Sequence, residues 1–151
     1  LAFEQQVMTN GSANTAVIAE AQRPGVNRLV LLSAHIPALM RSSRFGYYVG
    51  KQQASEAAAD YTRASADNDA PVIYPSAIYG TRYTGGGTAI PLGLFMSPVA
   101  WVMRCLPVVV SQFLPESPVR VQQVATSVVD AAMSAERCGL MVVENQDLLA
   151  V

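Results

Sequence analysis

The sequence predicts an α/β domain that is half of a doubly wound, mainly parallel sheet with flanking helices. Two observations support this prediction. Helix-like and strand-like segments alternate along the 151 residues, and residues 29–32 form a continuous apolar run that ends in Ser33. Such a run is typical of a strand that is buried on both faces of a parallel sheet. Apolar residues make up 51% of the chain, which is enough to bury a core.

The predicted elements follow one another as helix, strand, helix, strand, helix and strand. Apolar spacing or helix-favouring composition predicts helices at about 5–22, 46–66 and 121–136. Short apolar runs predict strands at 27–33, 72–75 and 139–143. The first helix is expected to bury the face formed by Val7, Gly11, Asn14, Val17, Ile18 and Ala21. The last helix is expected to bury the stripe Val121, Val124, Ala125, Val128, Val129, Ala132 and Met133.

Composition limits the possible partners. Charged residues make up only 14% of the chain, compared with roughly 25% in typical soluble domains. This predicts that another protein, a further domain or lipid covers part of the surface. The net charge of −1 and the lack of a basic cluster argue against nucleic acid. Because the chain starts at Leu1 without an initiating Met, we expect it to begin inside a domain.

Residues 89–114 are the most apolar stretch, with a mean hydropathy well suited to burial. Their length is close to the roughly 20 residues that cross a bilayer, but Pro91, Pro98, Pro107 and Arg104 count against a spanning helix. The favoured interpretation is a buried or interface-forming pair of short helices. A segment that lies on a membrane surface remains the second interpretation.

A Ser/Tyr/Lys pattern is the most informative feature for function. Tyr47 and Lys51 are four residues apart, so both lie on one face of the predicted helix, where the ammonium can influence the phenol. Ser33 ends the preceding strand and can lie beside them. The three residue types in this order indicate a site that reduces a carbonyl group, although Tyr and Lys at this spacing also occur by chance.

Four segments, in order, resemble the extended or atypical short-chain dehydrogenase/reductases. They are 10–14 (Asn-Gly-Ser-Ala-Asn), 25–30 (Gly-Val-Asn-Arg-Leu-Val), 74–80 (Tyr-Pro-Ser-Ala-Ile-Tyr-Gly) and 119–125 (Val-Arg-Val-Gln-Gln-Val-Ala). The resemblance covers nearly the whole chain and implies the C-terminal half of a Rossmann-like sheet. It is closest to organellar members linked to quinone biosynthesis and to the Rossmann-like accessory subunit of respiratory complex I.

The resemblance implies roles for individual residues. Tyr47 would donate a proton to the substrate carbonyl, and Ser33 would hold that carbonyl by a hydrogen bond. Lys51 would contact the ribose of NAD(P) and lower the pKa of Tyr47. Asn10 would brace the helix beside the site, although a helix-face amide bonded to backbone is an equally good interpretation. The cofactor-binding positions would be Tyr47, Lys51, Pro75 and Ile78.

The chain also departs from the family pattern. The family's Arg before Pro is Tyr74 here, and its Asp in the last segment is Gln123. No Gly-x-Gly-x-x-Gly follows a predicted strand, and we expect the 85–87 glycine triplet to be a flexible connection. The chain would therefore contact only the nicotinamide end of NAD(P), because the phosphate-binding half is absent.

His35 and the two cysteines carry weaker signals. His35 lies two residues beyond Ser33, so it either caps a loop or takes part in the site. Cys105 and Cys138 fit no metal spacing and indicate a reducing compartment. No metal site is predicted.

The sequence leaves three hypotheses for function. In the first, the chain is part of a longer NAD(P)-dependent oxidoreductase, with an upstream Rossmann half as its partner. In the second, it is a non-catalytic Rossmann-like accessory subunit of a respiratory or photosynthetic membrane complex in a mitochondrion or plastid. The third is a lipid- or quinone-handling surface protein that uses residues 89–114.

The predicted domain organisation is one incomplete Rossmann-like domain over residues 1–151. It divides into a sheet and helix core (1–88), an apolar variable segment (89–118) and a closing helix and strand (119–151). A chain of this kind is expected to expose a sheet edge and to aggregate when it is expressed alone.

Overall fold

The computed structural model describes residues 2–23, 25–83, 89–91, 98, 101–102, 116–136 and 138–150. Helices of more than one turn cover the three predicted regions, and a further short helix follows the last strand. The α-helices are α1 (Phe3–Val7), α2 (Ala13–Gln22), α3 (Gly46–Ala64), α4 (Val121–Met133) and α5 (Asn145–Ala150). A π-helical turn, Met8–Ser12, joins α1 to α2, and a 3-10 turn spans Ala38–Met40.

The strands are short. They are β1 (Leu31–Leu32), β2 (Val72–Ile73), β3 (Ile78–Tyr79), β4 (Thr81–Tyr83), β5 (Ala89–Pro91), β6 (Val119–Arg120) and β7 (Val142–Val143). Among the described residues, the central sheet has the order β1-β2-β7, and both pairings are parallel. The fold class predicted from the sequence, α/β with a mainly parallel sheet and flanking helices, is therefore confirmed.

The central sheet has helices on both faces. One core cluster joins Leu31 and Val72 to Ile18 of α2 and to Ala54, Ala58 and Tyr61 of α3. The other joins Ile73 to Val119, to Val124 of α4 and to Leu148 of α5. Because neighbouring strand residues point to opposite faces, Val72 and Ile73 belong to different clusters. This explains why the strand sequences are apolar without alternation.

Two predicted helix faces need correction. Val17 is 69% exposed, since it lies about 100° around the helix from the buried Ile18. On α4, Val124 and Ala131 are buried and Val128 is half-buried, whereas Val121, Val129 and Met133 are exposed. The single packed stripe predicted for this helix is therefore wrong, because its apolar residues divide between a packed face and an exposed face.

The region after β3 also differs from the prediction. Residues 81–83 form β4 rather than loop, and β4 pairs with β5 in an antiparallel hairpin. The apolar segment 89–114 thus begins as a strand, although it was expected to form helices; Pro98, Trp101 and Val102 are helical. The glycine triplet 85–87 and most of the apolar segment lie outside the described residues. Within the described part of the chain, no helix is both long and apolar enough to cross a membrane.

Candidate active site

Ser33 lies where the sequence placed it, at the carboxyl end of β1. Its amide donates to the Ile73 carbonyl at 2.8 Å, which continues the parallel ladder beyond Leu32. The side chain is buried (5% exposed), and its Oγ atom has no hydrogen-bond partner among the described residues. A buried hydroxyl without a partner costs about 1–3 kcal/mol. Such a group at a strand end is well suited to a bound ligand.

Helix α3 carries Tyr47 and Lys51 in its first two turns. The Lys51 Nζ atom donates to the Leu32 carbonyl at 3.1 Å, and it lies 5.8 Å from the centre of the Tyr47 ring. The amine is therefore held between the end of β1 and the phenol ring. Lys51 also lines a cavity together with Ser33, so the structure brings amine and hydroxyl to one place and the phenol ring beside the amine.

Burial acts on both ionisable groups in the direction that disfavours charge. It raises the pKa of the Tyr47 phenol and lowers the pKa of the Lys51 ammonium. The expected lowering of the Tyr47 pKa by Lys51 is therefore not observed, and the loss of water around the phenol shifts this pKa upward. Tyr47 keeps its proton at neutral pH and is suited to donate it.

Glycines set the distance between the first helix and α3. A Cβ atom added at Gly50 would lie 2.9 Å from the Asn10 Cβ atom and 2.9 Å from the Gly11 amide nitrogen. A Cβ atom added at Gly46 would likewise be too close to the Phe3 carbonyl oxygen. The helix that carries Tyr47 and Lys51 therefore packs backbone to backbone on the π-helical turn.

Asn10 lies in that π-helical turn, a feature that is frequent at functional sites. Its Nδ2 atom donates to the Gln6 carbonyl at 3.0 Å, and its own carbonyl accepts from Asn14 Nδ2 at 2.9 Å. The side chain also packs on Gly50. Both sequence interpretations of Asn10 thus describe part of what it does: the amide bonds backbone, and the residue supports α3.

A cavity of about 360 Å³ lies above the carboxyl ends of β1, β2 and β7. Tyr48 is among its lining residues, and Tyr47 adjoins it through Lys51, whose Nζ atom lies 5.8 Å from the Tyr47 ring centre. Five segments of the chain supply its walls. They are Ser33, Ala34, His35 and Ile36; Arg41; Tyr48, Lys51, Gln52, Ser55 and Glu56; Tyr74; and Glu144. The sequence analysis did not identify Arg41, Tyr48, Ser55 or Glu144, because they share no motif with Ser33.

His35 belongs to this cavity. Its amide donates to the Pro75 carbonyl at 2.8 Å, and its Nδ1 atom lies 3.4 Å from Glu116 Oε1. Burial raises the pKa of the Glu116 carboxyl, while His35 and Arg41 act in the opposite direction. His35 thus lines the cavity, and its role in a site stays a prediction. Among the described residues, no group of three His, Cys, Asp or Glu side chains could hold a metal ion.

The two departures from the family pattern have local partners. The Tyr74 hydroxyl donates to Ser55 Oγ at 3.0 Å on the cavity wall, so a neutral pair occupies the position of the family's Arg. The Gln123 Oε1 atom accepts from the Arg120 amide at 3.1 Å and caps the start of α4. Gln123 therefore acts on the helix end.

The other two predicted cofactor positions, Pro75 and Ile78, are not among the residues that line the cavity. Pro75 is fully buried, and its carbonyl is engaged by His35. Ile78 is 42% exposed in β3, which pairs with β6 in a separate two-stranded sheet. The structure therefore places Lys51 beside both Ser33 and the Tyr47 ring. Pro75 and Ile78 do not belong to this group.

Comparison with known proteins gives the fold but not the activity. The chain is 28% identical over 156 residues to the uncharacterized chloroplastic protein At1g32220 of Arabidopsis thaliana, and the match covers 94% of the chain and 49% of that protein. The structure of the UDP-Glc/GlcNAc 4-epimerase from Campylobacter jejuni superposes with a TM-score of 0.58 at 12% identity, over 95% of this chain and 53% of that one.

The likeness to the epimerase shows that the two proteins share a Rossmann-like α/β fold. No family model matches the chain. The chain spans about half the length of the curated relative.

Proposed function

We propose that this chain forms the carbonyl-reducing part of an NAD(P)-dependent, short-chain dehydrogenase/reductase-like protein. The observation that carries the proposal is the position of Lys51, whose amine lies 3.1 Å from the Leu32 carbonyl and 5.8 Å from the Tyr47 ring centre. The adjacent Ser33 hydroxyl is buried and has no partner in the described part of the chain. These groups lie at the carboxyl edge of a parallel sheet, where ligands of this fold class bind.

The residues fit the nicotinamide end of the cofactor. Lys51 uses one of its three protons on Leu32, which leaves two for ribose hydroxyls. The reduced nicotinamide, when bound, supplies the hydride that adds to the carbonyl carbon. Ser33 donates a hydrogen bond to the carbonyl oxygen, and Tyr47 transfers its phenolic proton to that oxygen. The product is an alcohol, and the phenolate then regains a proton from water.

The test uses the full-length protein with NADH and NADPH. Cofactor binding is measured by fluorescence, and cofactor oxidation is followed with a panel of aldehydes, ketones and quinones. Tyr47→Phe is expected to lower turnover by about 10²-fold or more, with cofactor binding retained, because it removes only the proton donor.

Tyr48→Phe is the matched comparison, since Tyr48 is the neighbouring phenol. This variant is expected to change KM more than kcat. Loss of turnover in Tyr48→Phe together with normal turnover in Tyr47→Phe would contradict the assignment of the donor.

A second candidate function is supported by the exposed apolar side chains of α4, Val121, Val129 and Met133. We propose as the alternative a non-catalytic accessory subunit of an organellar membrane complex. The chloroplastic relative favours a plastid location. Native gels of solubilised plastid membranes test this alternative, because an accessory subunit migrates with a large complex. A Tyr47→Phe chain that assembles normally but does not affect growth would favour the accessory subunit over the enzyme.

A further inference from the structure

The charges on the cavity wall are separated along its length. The cations Arg41 and Lys51 lie near β1 and the start of α3. Glu56 lies five residues beyond Lys51 on α3, about 7.5 Å along the helix axis. Glu144 follows β7, two strands away from β1, which is about 9–10 Å across the sheet. Among the charged residues that line the cavity, the two cations therefore belong to the part next to Ser33, while Glu116, which is not a lining residue, lies 3.4 Å from His35.

Arg41 is held in place but is not neutralised. Its Nε atom donates to the Ile36 carbonyl at 2.7 Å, which orients the guanidinium at the cavity wall. Among the described residues, no carboxylate lies within ion-pair distance of Arg41. The half-buried Glu116 carboxyl interacts electrostatically with Arg41 but forms its close contact with His35, at 3.4 Å. The planar donor pair of an arginine matches a carboxylate or a phosphate.

We propose that the cavity binds a small carbonyl compound that carries an anionic group, carboxylate or phosphate, with the anion on Arg41 and the carbonyl beside Ser33. Ser33 and Ile36 are three residues apart, so their Cα atoms are separated by at most about 10 Å, and the Arg41 Nε atom lies 2.7 Å from the Ile36 carbonyl. The ligand is therefore short, with a few bonds between its carbonyl and its anion. This inference deepens the proposed function, on which it rests for the fate of the carbonyl.

Matched ligand pairs test the anion subsite in the full-length protein. Levulinate and its uncharged methyl ester test for a carboxylate. Dihydroxyacetone phosphate and dihydroxyacetone test for a phosphate. Dissociation constants are measured by calorimetry without NAD(P)H, so that binding is separated from reduction. At least one anionic member is expected to bind about tenfold or more tightly than its neutral partner, because a hydrogen bond to a charged group is worth more than tenfold in affinity.

Arg41→Gln should abolish this preference, and Arg44→Gln should preserve it. Arg44 is the matched control, because it is exposed in the same loop and does not line the cavity. Both variants alter an exposed side chain, and a urea titration checks that each is folded. The inference is overturned if neither anion is preferred, or if the two variants behave alike.

The same data separate the inference from the proposed function. Arg41-dependent binding of an anion without any cofactor oxidation would contradict the reductase function and support the anion subsite. Reduction of the neutral ligands at the same rate as the anionic ones, unchanged in Arg41→Gln, would remove the anion subsite and leave the reductase.

Discussion

Two buried polar residues at opposite ends of the central sheet, Asp69 and Ser33, differ in their hydrogen bonding. At the amino ends of the strands, Asp69 is 4% exposed and every oxygen has a partner. Its Oδ2 atom accepts from Arg28 at 2.7 Å, and its Oδ1 atom accepts from the amides of Cys138 and Gly139 at 3.1 and 2.7 Å. Arg28 also donates to the carbonyls of Ser134 and Glu136.

At the carboxyl ends, Ser33 is equally buried, and its hydroxyl is unpaired within the described part of the chain. Burial there also acts against the charged forms of Tyr47 and Lys51. Asp69 thus contributes to stability through completed hydrogen bonds, whereas the Ser33 hydroxyl keeps its bonding capacity free for a ligand. The proposed function predicts this difference, because it places the ligand next to Ser33 at the carboxyl end.

The largest expected effect is at the amino end. Asp69→Asn leaves Arg28 without its buried partner, and the free energy of unfolding should fall by about 3–5 kcal/mol in urea titrations. The Arg28 hydrogen bond lowers the pKa of Asp69, so its contribution is present above the unfolded-state pKa and is lost as pH falls through the folded value. The variant should therefore lose much of this acid dependence.

Asp60→Asn is the control for that comparison. Its exposed pair with Arg63 should contribute less than about 1 kcal/mol. Equal losses of unfolding free energy in the two variants would show that the buried pair of Asp69 contributes no more than an exposed pair.

Gly50→Ala should have the next largest effect. The new methyl group meets backbone and Asn10 at 2.9 Å, and overpacking of this kind costs about 1–3 kcal/mol. Because α3 must move away from the first helix, cofactor affinity should also fall although no site side chain is changed. Normal stability with normal cofactor binding would contradict the close packing of the two helices.

Ser33→Ala tests the carboxyl end directly. Since the hydroxyl makes no hydrogen bond in the described structure, its removal should cost less than about 0.5 kcal/mol or should stabilise the protein. Ser76→Ala is the control, because the Ser76 hydroxyl donates to the Ser117 carbonyl at 2.6 Å and its loss should cost about 1 kcal/mol. A larger loss of unfolding free energy for Ser33→Ala than for Ser76→Ala would contradict the conclusion that the Ser33 hydroxyl is unpaired.

The smallest effect concerns pH. Burial lowers the pKa of Lys51 below its ordinary 10.5 and raises that of Tyr47 above its ordinary 10.0. Lys51 should lose its proton first, so kcat/KM for reduction should begin to fall below pH 10.5. In Lys51→Arg, which stays charged, the fall should move to higher pH. An unchanged profile would exclude Lys51 as the titrating group.

Local patterns were sufficient to predict α3 and β1, because each produces its own apolar or helix-favouring signal. The same patterns place Ser33, Tyr47 and Lys51 on the elements where the structure has them. The NAD(P) role of these residues stays a prediction. The final helix α5 and the strand β5 were not predicted, since segments of three to six residues carry too little periodicity.

Short-range sequence patterns could not predict the hydrogen bonds of Asp69, for a different reason. Asp69 bonds residues 41 and 70 positions away in the sequence, and it follows two other polar residues in what reads as an ordinary loop. The cavity is similar, because Arg41 and Tyr74 line the same space only after five segments come together. Long-range pairing of this kind becomes visible only in three dimensions.

The contact of Gly50 with Asn10 and Gly11 has a consequence for how this protein can change over time. Because main-chain atoms define the spacing of the two helices, substitutions on their outer surfaces leave the alignment of Tyr47 and Lys51 with β1 intact. A related sequence can therefore differ widely on these outer surfaces and keep the site geometry. One added methyl group at Gly50 would instead disturb that geometry, although Ser33, Tyr47 and Lys51 are all retained.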